Sequence, residues 1–403
     1  MLITLTLYIL YYIIIDRCKI RVNNDREKEV RNKSVAVLNI RSSEICAVIA
    51  EKGVNNTFII KSKCSRSYEG YAEGELLDMS DFASALSYAF MNIIASVNVP
   101  VKRVYVGVPD EFITVYQTDK SVSFSGMQRI GAKHLRMMED DSLADTLRGE
   151  AVIRCAPLYY ILSDKRRLID PTGMASDSLR ARLSYFTVKT AFIDAVKKAL
   201  AEFPAVKEIR WLPQSYAQAN YLLSEEQRDS YRILLDLGFI SSTFSVACGG
   251  GIAFNEAFSV GVGHVAVLLM EALDVPYEVA LALMKKVNLN ARDTGSYVEE
   301  FTPDGTRYKF PASDLRDLIR EGLDGICEMI DTCIQSFALR DLTGAPILVT
   351  GEGVNEIRGI IEHLISRLVT PFEVIAPKLP YYDKPQFSSL FGLVSTALSD
   401  EAQ

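Results

Sequence analysis

Seven cysteines (Cys18, Cys46, Cys64, Cys155, Cys248, Cys327 and Cys333) and three histidines (His134, His264 and His363) are the side chains that could hold a soft metal or form disulfides. Their spacing argues against both. The closest two cysteines, Cys327 and Cys333, are six positions apart, no C-x-x-C pair occurs, and the histidines are scattered. Free thiols in a reducing cytosol are the simpler reading, and no metal site is expected. The acidic run Glu139-Asp140-Asp141 lacks the glycine and spacing of a calcium loop. Lys165-Arg166-Arg167 reads as a solvated turn, and a net charge of −7 speaks against a nucleic-acid-binding surface.

Asn39 and Asp236 recur in equivalent settings, each closing a short apolar run before a turn. Residues 34–39 read as a strand, Arg41-Ser42-Ser43-Glu44 as a tight polar turn, and 45–50 and 57–60 as two further strands of a meander. The pattern repeats, with strands at 232–236, 243–248 and 252–258, a turn at 237–242 and the next turn at Gly249-Gly250-Gly251. Helix–strand units follow each meander. A helix capped by Ser80 or Asp81 carries Phe82, Leu86, Phe90, Ile93 and Val97 on one face, with a strand at 103–108 after it. Thr190 opens another helix, stopped at Pro204, before a strand at 208–212. Further on, 315–337 reads as a long helix, and 346–350 and 372–375 as strands. Two such halves give an α/β chain of two lobes with a cleft between them. A length of 403 residues suits two or more domains. Two insertions interrupt the lobes. Residues 110–182 are strand-like with a helical part around 130–147; 261–311 are helical at 265–273 and 277–287, then strand-like around 297–310.

The turns resemble the nucleotide loops of FtsA proteins, in the actin-like ATPase superfamily. Residues 35–48 resemble the first phosphate loop, although that family has Asp, Gly and Lys where Asn39, Arg41 and Glu44 stand. Leu235-Asp-Leu-Gly-Phe-Ile-Ser241 resembles the second, usually a glycine-rich D-x-G-G-G-T. Leu348-Val-Thr-Gly-Glu-Gly353, with Gly359, resembles the adenosine loop, Gly261-Val-Gly-His-Val265 the start of subdomain 2B, and 385–397 the last helix. The insertion after the strand at 103–108 stands where FtsA-like proteins, and related pilus-assembly proteins, carry subdomain 1C. The resemblance implies an actin-like two-lobed fold, a duplicated ribonuclease-H-like domain with an FtsA-type 1C insertion. The implied division is 1–32 as hydrophobic segment and linker, 33–109 with 183–230 as lobe 1 core (1A), 110–182 as 1C, 231–260 with 331–403 as lobe 2 core (2A), and 261–330 as 2B.

The resemblance also implies a nucleotide site of Asn39, Arg41, Ser42, Ser43, Asp236, Gly238, Ser241, Thr350, Gly351 and Gly353, with ATP and Mg²⁺ as ligands. In that family backbone N–H groups of the two turns cradle the phosphates, and glycines permit the close approach. Acidic residues position Mg²⁺ and water, and a Lys neutralises phosphate charge. The departures here count against both ligands. Asn39 lacks the charge, and Arg41 brings a large side chain, although its fork could hold a phosphate. Glu44 sets an anion against phosphate, costing about 1 kcal/mol at about 4 Å in water and about 4 at an effective dielectric of about 20. Phe239 and Ile240 replace glycines, at roughly 1–2 kcal/mol each wherever positive φ is needed. Together, at the low-dielectric end, these costs come close to the roughly 8 kcal/mol of a micromolar nucleotide. Leu212 stands where the superfamily places a water-ordering Glu or Gln, with Gln214 close by. No catalytic residue is assigned. The expectation is a degenerate ATP site, or hairpins that simply hold two lobes together.

For function, the resemblance implies a scaffold that tethers FtsZ-like filaments at the cytoplasmic membrane, associates with itself, and meets the FtsZ tail through 2B. An ATP-binding polymerising switch and a binding module of a pilus or secretion apparatus are the alternatives; nucleic acid is not an expected partner. The family ends in a linker and a membrane helix, whereas this sequence ends at Gln403, which counts against C-terminal attachment; Leu2 to Ile15 could replace it. As a helix that segment spans about 21 Å, against about 30 Å of hydrocarbon. It lacks the flanks of a signal peptide, and Arg17, Lys19 and Arg21 suit a cytoplasmic side. A short anchor, upstream sequence from a misassigned start, and a buried strand all stay open; Asn23 to Lys33 reads as a polar linker. The expected location is the cytoplasmic face of the membrane, or the cytoplasm.

Overall fold

The computed structural model describes residues 34–54, 57–97, 100–139, 149–292, 294–337 and 345–402. The expected anchor, Leu2 to Ile15, and the linker after it lie outside these residues. In chain order the main strands are β1 (Ser34–Ile40), β2 (Glu44–Lys52), β3 (Phe58–Ser67), β4 (Arg103–Val108), β5 (Ile113–Arg129), β6 (Glu150–Leu162), β7 (Ala175–Lys189), β8 (Glu208–Pro213), β9 (Arg232–Asp236), β10 (Ser242–Cys248), β11 (Gly251–Phe258), β12 (Ile347–Thr350) and β13 (Phe372–Val374). The main helices are α1 (Met79–Ala95), α2 (Thr190–Leu200), α3 (Gln214–Leu222), α4 (Gly263–Leu273), α5 (Tyr277–Lys286), α6 (Ala312–Ser336), α7 (Ile360–Leu368) and α8 (Ser388–Asp400).

The first sheet runs β8-β4-β1-β2-β3 and the second β11-β10-β9-β12-β13. In each, a meander pairs with parallel strands on the side of its first strand. Every residue of β1 after Ser34 is buried, because the strand is paired along both edges and covered on both faces. That is why it reads as one apolar run and not as an alternation. Ala36, Leu38 and Ile40 pack with Phe82, Leu86 and Phe90 of α1, while Val35 and Val37 pack with Leu390, Leu393 and Val394 of α8. The last helix, expected with lobe 2, therefore lies on the first sheet, because its apolar face matches the side of β1 opposite α1. The cap of α1 also differs from expectation. It is Asp78, whose carboxylate accepts from the Ser80 and Asp81 amides at 2.7 and 2.9 Å, as a cap reaching the first turn does.

The inserted sheet runs β5-β7-β6, edged by a two-residue strand at Arg167–Leu168. β7 and α6 are each continuous across an expected boundary, at 182 and 330, since hydrogen-bonded elements do not break where subdomains are divided. Of the helix expected around 130–147, the described part is Ala132–Met138. The stretch around 297–310 is a two-stranded hairpin, Tyr297–Phe301 with Arg307–Pro311.

The sheets are joined by packing as well as by chain. Leu234, Ala247, Ile252 and Leu348 of the second sheet share one buried cluster with Leu38, Phe186 and Ala219. The inserted sheet rests on the turn between β10 and β11. Gly250 donates its N–H to the Pro157 carbonyl at 2.9 Å, and Leu158 is buried against Cys248 and Ala253. Gly249 at φ +58° is required there, because a Cβ would stand 2.0 Å from the Leu158 oxygen. Among the described residues no helix is long and apolar enough to cross a membrane.

Candidate functional site

The turns after β1 and β9 meet where the two sheets join. Arg41, in the first, reaches across to Asp236 at the end of β9. Its Nη1 donates to Oδ2 at 2.6 Å and its Nη2 to Oδ1 at 3.0 Å, the two-pronged geometry that suits a guanidinium and a carboxylate. The side chains are 18% and 7% exposed. Burial opposes both charges, but each offsets that penalty for the other. The guanidinium pKa is raised, and that of Asp236 is lowered by Arg41 and by the Gln218 hydrogen bond.

Helix α3 supplies an amide to each strand end. Gln214 donates to Asn39 Oδ1 at 3.1 Å and to the Ile40 carbonyl at 2.7 Å; Gln218, one turn on, donates to Asp236 Oδ2 at 2.6 Å. Positions i and i+4 share one helix face, so the pair spans both sheets. Leu212 is instead buried with Leu393, on a core-facing position of β8. A Gln-x-x-x-Gln spacing directly after Pro213 is the signal that could have found both amides.

Three backbone donors of the turns are already engaged. Arg41 N–H closes the first hairpin on the Glu44 carbonyl at 2.9 Å. Gly238 N–H donates to Ser242 Oγ at 3.3 Å, and Phe239 N–H to the Glu352 carboxylate at 3.1 Å. Tyr68 braces the first turn, its hydroxyl on the Arg41 carbonyl at 2.8 Å and its N–H on that of Ser43 at 3.3 Å. Ser42 is buried, whereas Glu44 is exposed and so does not present its charge inward. Phe239 and Ile240 have ordinary φ, so the strain expected from replacing glycines does not arise. The Phe239 ring instead rests against Gly263, where a Cβ would stand 2.8 Å from it.

The third loop closes over the same spot. Gly351 has φ +100°, and a Cβ on it would lie 2.3 Å from Asp236 Oδ1. Gly353 N–H donates to the Leu237 carbonyl at 2.8 Å. The fold thus brings Arg41, Asp236, Gly238, Gly351 and Gly353 together and links Asn39 to them through α3. Thr350 turns away, its hydroxyl on Ser388 Oγ at 2.6 Å, and Ser241 lies half-buried in the second turn.

Asp110, just past β4, was legible only as the edge of an insertion. Its Oδ1 accepts from Ser215 Oγ at 2.6 Å and from Asn255 Nδ2, on β11, at 3.2 Å, and its Oδ2 from the Ser215 amide at 3.1 Å. Burial pushes its pKa up to about 7; the Ser215 bond pulls it back and the Asp236 charge adds to the rise.

The chain is 21% identical over 335 residues to the cell division protein FtsA of Bacillus subtilis (strain 168), covering 82% of this chain and 76% of that protein. It is 23% identical over 264 residues to FtsA of Helicobacter pylori (strain 26695), covering 60% of this chain and about half, 52%, of that protein. The chain is FtsA-like. No protein-family model matches it. Among solved structures, the type IV pilus biogenesis complex PilM-PilN aligns with a TM-score of 0.60 at 13% identity, over 90% of this chain and 98% of that one. MreB5 of Spiroplasma citri bound to ADP aligns with a TM-score of 0.55 at 10% identity, over 92% and 97%. The fold is therefore actin-like, as the two hairpin turns implied.

Proposed function

We propose that this chain is an FtsA-like scaffold of bacterial cell division, holding FtsZ-like filaments at the cytoplasmic face of the membrane, with a cleft that is closed by protein groups in place of nucleotide. The observation that carries the cleft reading is the Arg41–Asp236 pair. In an actin-like cleft an acidic residue at the end of β9 would serve Mg²⁺, and turn N–H groups would serve phosphate. Here Asp236 is neutralised by a guanidinium, two amides of the second turn are taken, and Glu352 adds an anion beside it. These residues do not fit Mg²⁺–ATP. By resemblance, residues 261–330 would meet the FtsZ tail and the inserted sheet would support self-association; membrane attachment would come from the apolar segment Leu2 to Ile15, in place of the family's C-terminal helix.

The test is thermal melting of the full chain with and without millimolar Mg²⁺–ATP. Nucleotide at a hundredfold excess over Kd would add about 2.7 kcal/mol to the folded state. We expect no rise in midpoint; a clear rise would revive a nucleotide-dependent switch, the role that the ADP-bound relative MreB5 makes worth testing. A pilus or secretion module is the second reading, favoured by the alignment with PilM-PilN. Co-sedimentation with FtsZ of the same host separates them: retention in the filament pellet supports the scaffold, and its absence favours the other apparatus.

A further inference from the structure

Asp324 and Cys327 stand one turn apart on α6, and His363 faces them from α7. One donor atom from each lies within 4.8 Å of the others. His363 Nε2 is already 3.0 Å from Asp324 Oδ1. Two ligands on a tetrahedral ion with bonds of about 2.0–2.1 Å stand about 3.4 Å apart, so one edge of such a site is nearly formed. We propose that Asp324, Cys327 and His363 bind a divalent transition-metal ion of the zinc class, with water in the fourth position. The donor set is one oxygen, one sulfur and one nitrogen, which suits a borderline-soft ion and not Mg²⁺ or Ca²⁺. Spacing along the sequence conceals the site, since 39 positions separate His363 from Asp324.

Burial keeps the Cys327 thiol protonated, so the ion displaces that proton to solvent as the Sγ–metal bond forms. The same burial rules out a nucleophilic role. Cys327 is 2% exposed, and no substrate carbon could reach its sulfur. The cation now beside Asp324 is Arg367, whose Nε stands 3.2 Å from the same oxygen. Its side chain is about half exposed, at 53%, and is free to swing into water. Arg367 therefore competes with the metal, and removing it should tighten binding.

Titration of the full chain with Co²⁺, then Zn²⁺, tests this. We expect one equivalent of Co²⁺ to bind, with tetrahedral d–d bands and a thiolate charge-transfer band that Zn²⁺ abolishes. Asp324→Asn and His363→Gln, at the partly exposed positions, should each weaken binding at least tenfold, and Arg367→Gln should strengthen it several-fold. Cys327→Ser should remove the charge-transfer band. The site is refuted by any of three results: no thiolate band in the unmodified chain, a band that survives Cys327→Ser, or affinity unmoved by both Asp324→Asn and His363→Gln.

Discussion

At the scale of single residues, the cleft turns on two carboxylates with opposite shifts. Asp236 has its pKa lowered, so the stability it lends is fully present above the ordinary carboxylate range and is lost only as pH falls through the lowered value. Removing Arg41 leaves Asp236 buried and unpaired. We expect Arg41→Ala to cost about 3–5 kcal/mol in denaturant unfolding, and Arg41→Ala with Asp236→Asn to cost clearly less than the sum of the single changes. Strict additivity would show that the pair does not couple the lobes. Asp110 behaves in the reverse sense. Its folded pKa of about 7 lies above the unfolded value, so the folded state holds the extra proton and stability falls as pH rises from about 4 to about 7. The loss is on the order of 4 kcal/mol, and Asp110→Asn, which mimics the protonated form beside Ser215, should flatten that part of the profile. An unchanged slope in the variant would put the titration elsewhere. The sequence showed Arg41 and Asp236 as members of one site but not that they pair. Their separation of 195 positions offers no local signal, and the fork of Arg41 suits a phosphate as well as a carboxylate.

At the scale of elements, the meanders, the long helix and the insertion were legible because buried strands and amphipathic helices carry their periods in the chain. Where α8 docks was not. Its apolar face fits either sheet by pattern, and only the bare side of β1 decides. Phe239 and Ile240 impose no backbone strain, since neither has positive φ, and glycine is required beside them at Gly238 and in the third loop at Gly351. Gly351→Ala would place a methyl group 2.3 Å from Asp236 Oδ1 in a left-handed conformation. We expect that change to lower stability by more than about 2 kcal/mol and to weaken the Arg41 pair with it. A neutral Gly351→Ala in chemical unfolding would mean that the third loop is not clamped on Asp236. The metal-class cluster at the α6–α7 contact belongs to the same lesson, because helices of lobe 2 bring together side chains that the sequence scatters.

At the scale of the whole molecule, the two sheets share one buried cluster through Leu234, Ala247, Ile252 and Leu348. Calorimetry of the full chain should accordingly show one cooperative transition for the described fold, with the calorimetric and van't Hoff enthalpies in agreement. Two resolved transitions would contradict a common core. The attachment of lobe 2 has a further consequence. Its β9–β10 hairpin is gripped by Arg41 at one end and by Pro157 and Leu158 of the inserted sheet at the other. Those grips are about 20 Å apart along the strands, at roughly 3.3 Å per residue. A bracket held by two bolts cannot pivot about either without shearing the other. Load applied to one lobe is thus passed to the other through both grips, and under tension the joint acts as a tie.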